Sequence, residues 1–203
     1  MNTTVSTVPA DSPDARTRPD ANAPVFYTYI GSPVGLLLLA TSDAGLRVVE
    51  FPESRHAIAP ASHWQQVDLA QLAGSPDDDG NVLTSSPAAR VLWQAAQQLD
   101  EYFAGRRQHF DLPLAPHGTT FQQQVWQALR HIPFGHTWSY AELARHIGRP
   151  TATRAVGAAN GRNPIAIIIP CHRVIGTNGN LTGFAGGLSA KSFLLQLEGQ
   201  LLI

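Results

Sequence analysis

The chain has a single cysteine, Cys171, among 203 residues. One thiol excludes an internal disulfide and cannot supply the thiolate set of a structural zinc site or an iron–sulfur cluster. A reducing cytoplasm is therefore the expected place of work. Long hydrophobic runs are missing too. The longest, 36–40 and 164–170, fall far short of the roughly 20 apolar residues that a bilayer-spanning helix needs, so neither a membrane span nor a membrane partner is expected. Charged residues make up only 14% of the chain. Residues 1–23 are rich in Thr, Asp, Pro and Ala, with Arg16 and Arg18 scattered among acids. They contain no apolar block, match neither a signal nor a transit peptide, and read as a disordered tail. Apolar residues, by contrast, reach 43%, enough for a buried core in one large domain or two small ones.

The net charge of -1 hides an asymmetry about Thr119. Before it, seven arginines face thirteen acids, for about -6; from it onward, six arginines and Lys191 face only Glu142 and Glu198, for about +5. A basic carboxy-terminal half is the weak electrostatic footprint of a phosphate-binding surface, although plain surface charge produces the same count.

Two halves are expected. Over 24–116, strand-like segments broken by Gly31-Ser32-Pro33 and Ser42-Asp43-Ala44-Gly45 predict an antiparallel meander from Phe26 to Phe51. Periodicity then fades through a loop at about 52–86, with an acidic stretch at Pro76-Asp77-Asp78-Asp79-Gly80 and a short helix within 64–72. Helical spacing over 87–104 starts at Pro87 and stops at Gly105. A short strand over 110–114 leads to a linker near Pro116-His117-Gly118. Over 119–203 helices dominate. One carries Phe121, Val125, Leu129 and Ile132 on a single stripe and ends at Pro133-Phe134-Gly135. Ser139 and Glu142 form a capping-box pair for a second, which runs to Gly148. A third spans about 151–160, and a last begins at about Ser189. The second and third are a helix-turn-helix candidate.

In the third helix Ala152, Ala155, Val156 and Ala159 form the expected buried stripe, leaving an outer face of Arg154, Gly157, Ala158 and Gly161. Each interior glycine costs about 0.8–1 kcal/mol against alanine, so this bareness needs a packing reason. Tight packing on a neighbouring helix is one. Close approach of a nucleic-acid groove is the other, because a helix about 10–12 Å wide enters a minor groove about 6 Å wide only if it is stripped and the groove is widened.

The chemistry concentrates at Cys171. The apolar run 165–169 reads as a buried strand that stops at Pro170, directly before Cys171, His172 and Arg173. A lone cysteine is ordinarily an inert core residue. A reactive one needs a base or a positive environment, because a free thiol is only a few per cent ionised at neutral pH. His172 and Arg173 offer both.

Ile169-Pro170-Cys171-His172-Arg173-Val174, preceded by Gly161-Arg162-Asn163-Pro164, resembles the signature of the O6-alkylguanine-DNA alkyltransferases. The resemblance extends in order through Ser139-Tyr140, Arg154-Ala155-Val156-Gly157, Gly183-Phe184-Ala185-Gly186-Gly187 and Leu197-Glu198-Gly199, covering most of 119–199. It implies an α+β fold, with an amino-terminal ribonuclease-H-like domain and a mainly helical carboxy-terminal domain carrying the helix-turn-helix. The implied activity is DNA repair by direct reversal. Duplex DNA is bound through the minor groove, the damaged base is flipped out, and the alkyl group of O6-alkylguanine, with O4-alkylthymine beside it, moves irreversibly to the protein's own cysteine.

By the same resemblance Cys171 is the acceptor, His172 the base acting through a water, and Glu198 the group that orients the histidine. Tyr140 assists the leaving guanine and Asn163 braces the turn. Arg154 is the finger that fills the gap, with Thr153, Ala155, Gly157, Ala158 and Thr177 at the DNA. Val174, Phe184 and Ala185 belong to the substrate pocket. Independently, Glu198 at a helix carboxy-terminus is opposed by the helix dipole, and a locally unfavourable residue points to a site. No cofactor and no metal are expected. His56, His63, His109, His117, His131, His136 and His146 read as surface or loop residues, although the spacing from His131 to His136 would barely permit a shared ligand. A monomer is expected, with cooperativity on DNA left open. Three other functions compete: a non-catalytic alkylguanine-DNA-binding module, a cysteine hydrolase and a transcriptional regulator. Cys171 argues against the first, and the Ala/Gly helix face against sequence reading by the last.

Overall fold

The computed structural model describes residues 24–54, 57–72 and 86–200; the tail over 1–23, His56 and the acidic stretch from Pro76 to Gly80 lie outside them. Strands β1 (Phe26–Ser32), β2 (Gly35–Ser42) and β3 (Gly45–Glu50) form the predicted antiparallel meander. β4 (Gln65–Gln66) adds to β1 in parallel, for a sheet order of β3-β2-β1-β4. Leu37 and Leu39 enter the main core. Leu38 and Ala40 join Val25 and Val48 on the other face, beneath Tyr27, Ile58 and Trp64. Coverage on both faces explains why this strand is apolar without alternation.

The helix predicted within 64–72 is shorter than expected: β4 comes first and α1 spans only Leu69–Leu72. The strand predicted over 110–114 does not form. Only Leu114 bridges Leu46, because Pro113 and Pro116 remove ladder donors from the segment. The segment still docks closely, with the Leu46 N–H donating to the Pro113 carbonyl at 2.8 Å. Gly45 permits this. Its φ is +125°, and a Cβ there would lie 2.3 Å from the Pro113 oxygen.

Helix α2 (Pro87–Phe103) is capped by Ser86 and buries Ala88, Ala89, Leu92, Ala95, Leu99 and Tyr102 against the sheet. Beyond it come α3 (Thr120–Leu129), β5 (Trp138–Ser139), α4 (Tyr140–His146) and α5 (Thr153–Asn160). A short 3-10 turn at Cys171–Arg173, β6 (Val174–Ile175) and α6 (Gly187–Leu197) complete the described fold. The Ser139–Glu142 capping box forms as predicted. One hydrophobic core runs without interruption from the sheet through α2 into the carboxy-terminal helices.

Two expectations for the carboxy-terminal half need correction. Ala155 is exposed, and the buried side of α5 carries Val156, Ala159 and Asn160. At about 100° per residue Ala155 stands on the flank of a stripe centred on Val156, Ala159 and Asn160, where solvent reaches it. The run 165–169 is not a strand. Ile165 alone bridges Val49, and the chain then turns back with Ile167 at φ +71°.

Candidate active site

The turn that presents Cys171 is held by one side chain. Asn163 Oδ1 accepts from the Ile165 N–H at 3.1 Å, and its Nδ2 donates to the carbonyls of Ile165 at 3.3 Å and Ile169 at 2.8 Å. These bonds satisfy backbone groups that the absent strand would have paired. A β-branched residue at positive φ costs on the order of 1–3 kcal/mol, so Ile167 persists only because its surroundings over-determine it. The sheet supplies part of that constraint: Val49 on the edge strand β3 donates to Pro164 at 2.9 Å and accepts from Ala166 at 2.8 Å.

Cys171 is 4% exposed and His172 is fully buried. His172 Nε2 lies 2.9 Å from Glu198 Oε1. The carboxylate also accepts from Arg173 through Nε at 2.8 Å and through Nη2 at 2.9 Å, from the Tyr102 hydroxyl at 2.8 Å, and from the Gly135 N–H at 3.3 Å. Burial alone would raise the Glu198 pKa. The hydrogen bonds from His172 and Arg173, with the charge that Arg173 carries and that His172 acquires only on protonation in acid, outweigh it and bring the carboxyl down to about 2. Glu198 is thus ionised and can only accept, so His172 carries its proton on Nε2. Burial lowers the histidine's pKa against the pull of Glu198, which keeps the ring neutral. Nδ1 is then a buried acceptor without a partner among the described residues, as a general base requires.

The charge near the thiol is not the predicted one. Arg173 turns away from Cys171 to Glu198 and to the Ile132 carbonyl at 2.7 Å. The cation acting on Cys171 is Lys191, fully buried on α6, which donates to the carbonyls of Val174 at 2.5 Å and Thr182 at 2.8 Å. Burial depresses the Lys191 pKa to about 8, opposed by Cys171. Burial likewise pushes the Cys171 thiol up to about 11; Asn163 and Lys191 work against that rise, and Glu50 adds to it.

A cleft of about 700 Å³ opens between α5 and the segment before α6, lined by Tyr140, Thr153, Arg154, Gly157, Ala158, Gly161, Arg162, Thr182, Gly183, Phe184 and Ala185. The Tyr140 pKa is raised by burial and by Cys171, while a 3.5 Å hydrogen bond from Thr182 opposes the rise. The residue that lines the cleft is thus also a neighbour of the buried thiol.

Residues 120–200 match the profile of the 6-O-methylguanine DNA methyltransferase DNA binding domain, and residues 25–116 match that of its ribonuclease-like domain. The chain belongs to the 6-O-methylguanine DNA methyltransferase family. The methylated-DNA–protein-cysteine methyltransferase of Methanosarcina acetivorans is 45% identical over 175 residues, spanning 86% of this chain and 99% of that protein. The Mycobacterium tuberculosis protein of the same name is 44% identical over 174 residues, spanning 86% and 92%. The crystal structure of M. tuberculosis OGT in complex with DNA superposes with a TM-score of 0.69 at 44% identity, covering 85% of this chain and 92% of that one. The Pyrococcus kodakaraensis O6-methylguanine-DNA methyltransferase, 18% identical with a TM-score of 0.51, shares the fold.

In this methyltransferase-family chain, the tertiary structure gathers Cys171, His172, Glu198, Asn163 and Tyr140 at one place. Arg154, Thr153, Gly157 and Ala158 stand along the cleft with Phe184 and Ala185 opposite, and Ala155 is exposed on the same helix. Two expected residues fall elsewhere. Val174 is fully buried and pairs with Trp138 rather than lining the cleft, and Thr177 is exposed beyond its lining. His131 faces His146, at 3.2 Å between ring nitrogens, and His136 Nδ1 lies 3.1 Å from the Phe134 carbonyl. Tyr102 and Lys191 carry no local signal. Each has ordinary helix-face spacing, and only the fold brings them to the site.

Proposed function

We propose that this protein repairs DNA by transferring the alkyl group of O6-alkylguanine, and of O4-alkylthymine, to Sγ of Cys171, once per molecule. The observation that carries this reading is the neutral, buried His172. Its Nε2–H is committed to an ionised Glu198, and its Nδ1 is left to accept a proton. In the proposed step the thiol proton passes to Nδ1, with a water as bridge. The sulfur pair forms a bond to the alkyl carbon, the carbon–O6 bond breaks with its pair going to the base, and the base leaves after taking up a proton. Tyr140 is the group that donates toward the leaving base. The thioether has no route back, so the protein is consumed.

The duplex partner is read through the α4–α5 pair as a helix-turn-helix. The sparse face of α5, carrying Thr153, Arg154, Ala155, Gly157 and Ala158, enters a widened minor groove, Arg154 fills the gap of the flipped base, and the base occupies the cleft. Gly157 supports this. A Cβ there would meet only the Tyr140 ring, at 3.6 Å, so packing inside the protein does not demand a glycine. The acceptor must stay a free thiol, so we place the protein in the cytoplasm, acting as a monomer. Salt should weaken DNA binding through counterion release.

The test is intact-mass spectrometry after incubation with an oligonucleotide containing O6-methylguanine. A gain of one CH2, saturating at one equivalent and absent from Cys171→Ser, is expected. Repeated cycles per chain, as a cysteine hydrolase would show, or label on the Cys171→Ser variant, would overturn the reading.

A further inference from the structure

The segment 182–187 is a partition with space on both sides. In front lies the 700 Å³ cleft, to which Thr182, Gly183, Phe184 and Ala185 contribute. Behind it lies a second cavity of about 430 Å³, bounded by Ala185, Gly186 and Gly187 and, from the amino-terminal half, by Val34, Leu36 and Phe51. A segment with empty volume at its back has no intrinsic reason to hold its position, and its own backbone offers little. Gly183, Gly186 and Gly187 lack side chains to anchor it, and Gly187 sits at φ +82°.

Lys191 holds the Thr182 carbonyl at one end and the Gly187 N–H closes a turn onto the Phe184 carbonyl, and the side chain that backs the middle of the segment is Phe51. This ring, on the residue that follows β3, is 5% exposed and meets Phe184 edge-on, at 5.5 Å between centroids and 73° between planes. Phe184 in turn stands 6.4 Å from the His172 ring, again edge-on. The Phe51 ring also lies directly against Gly186, where a Cβ would come within 2.7 Å of it. A continuous line of contact therefore runs from the amino-terminal sheet through the cleft wall to the histidine beside the acceptor.

We infer that Phe51, a residue of the amino-terminal half, determines the size of alkyl group the cleft accepts, by fixing how far Phe184 and the 182–187 segment can retreat into the cavity behind them. This rests on the transfer reaction proposed above and adds a specificity-determining residue to it. Removing the ring joins the space it fills to the rear cavity and lets the wall give way to a bulky substituent. A methyl group, which needs no such room, is handled much as before. Gly186→Ala acts in the opposite sense, because its methyl can be placed only by displacing the Phe51 ring or the segment itself.

The experiment compares single-turnover rates with O6-benzylguanine and O6-methylguanine, both as free bases, for the full-length wild type, Phe51→Ala, Phe51→Leu and Gly186→Ala. Circular dichroism establishes that each variant is folded. Phe51→Ala should raise the benzyl-to-methyl rate ratio by roughly tenfold or more, the scale on which an apolar pocket discriminates between small groups. Phe51→Leu should raise it less, and Gly186→Ala should lower it. An unchanged ratio, or equal loss of both rates, would overturn the inference; should Phe51→Ala not fold, the ratio for Phe51→Leu decides. Wild-type protein that takes no methyl from an O6-methylguanine duplex would sink the transfer reading, and this inference with it, whereas wild-type transfer with an insensitive ratio sinks only the role of Phe51.

Discussion

At neutral pH Cys171 is held as a thiol. With its titration pushed to about 11, about one molecule in ten thousand carries the thiolate at pH 7. Such a sulfur is poorly reactive toward adventitious electrophiles and becomes a nucleophile only when a base takes its proton in the reacting complex. Iodoacetamide should therefore label Cys171 slowly, with a rate rising about tenfold per pH unit through neutrality, as thiolate-limited labelling requires. Lys191→Met should slow labelling further, because it removes the cation that favours the thiolate and leaves the Val174 and Thr182 carbonyls without their donor. Labelling followed by mass spectrometry from pH 6 to 9 measures both effects. A fast, pH-independent reaction would show that the thiol is already ionised.

Among the elements, α5 and the turn after it divide the work. The helix buries Val156, Ala159 and Asn160 and leaves a face with hardly any side chain. The turn spends its polar groups on holding its own shape through Asn163. Gly157 separates stability from function. A Cβ there makes an ordinary contact with Tyr140, so Gly157→Ala should stabilise the helix by about 0.8–1 kcal/mol in thermal unfolding. The same methyl thickens the face proposed to meet the groove. Duplex affinity measured by fluorescence anisotropy should fall, with the single-turnover rate on free O6-methylguanine retained. Unchanged affinity would place the DNA elsewhere.

Over the whole molecule, one core and one buried carboxylate unite the two halves. Glu198 receives Tyr102 from α2 and His172, Arg173 and Gly135 from the carboxy-terminal half. This network has a pH signature. The Glu198 pKa falls from 4.5 to about 2 on folding, so its stabilisation is present above about pH 4.5 and disappears as pH falls toward 2; the shift corresponds to about 3 kcal/mol. His172 acts in the same direction: its folded pKa lies below 6.5, so the unfolded chain takes up that proton first and stability declines from about pH 6.5 downward. Glu50, raised by burial, offsets part of this loss. Denaturant midpoints at pH 7, 5, 4 and 3 should decrease steadily, and Glu198→Gln should flatten the acid limb. A midpoint independent of pH would mean that the network contributes nothing to folding.

Sequence alone determined what local chemistry and motif order can encode. The meander, the capping box of α4 and the helix breaks follow from residues near one another in the chain. Cys171, His172 and Glu198 stand out through a motif and through a carboxylate misplaced at a helix end. Only the tertiary structure decided the rest. A buried turn and a buried strand share one apolar pattern, so 165–169 became a turn because Asn163, two residues before it, and the distant β3 edge together satisfy its backbone. Lys191, Tyr102 and Phe51 carry ordinary helix or strand spacing, and their roles arise from contacts across the core. The thiol's electrostatics were likewise settled in three dimensions: adjacent side chains diverge, so Arg173 went to Glu198 while a lysine twenty residues away in the chain came to the sulfur.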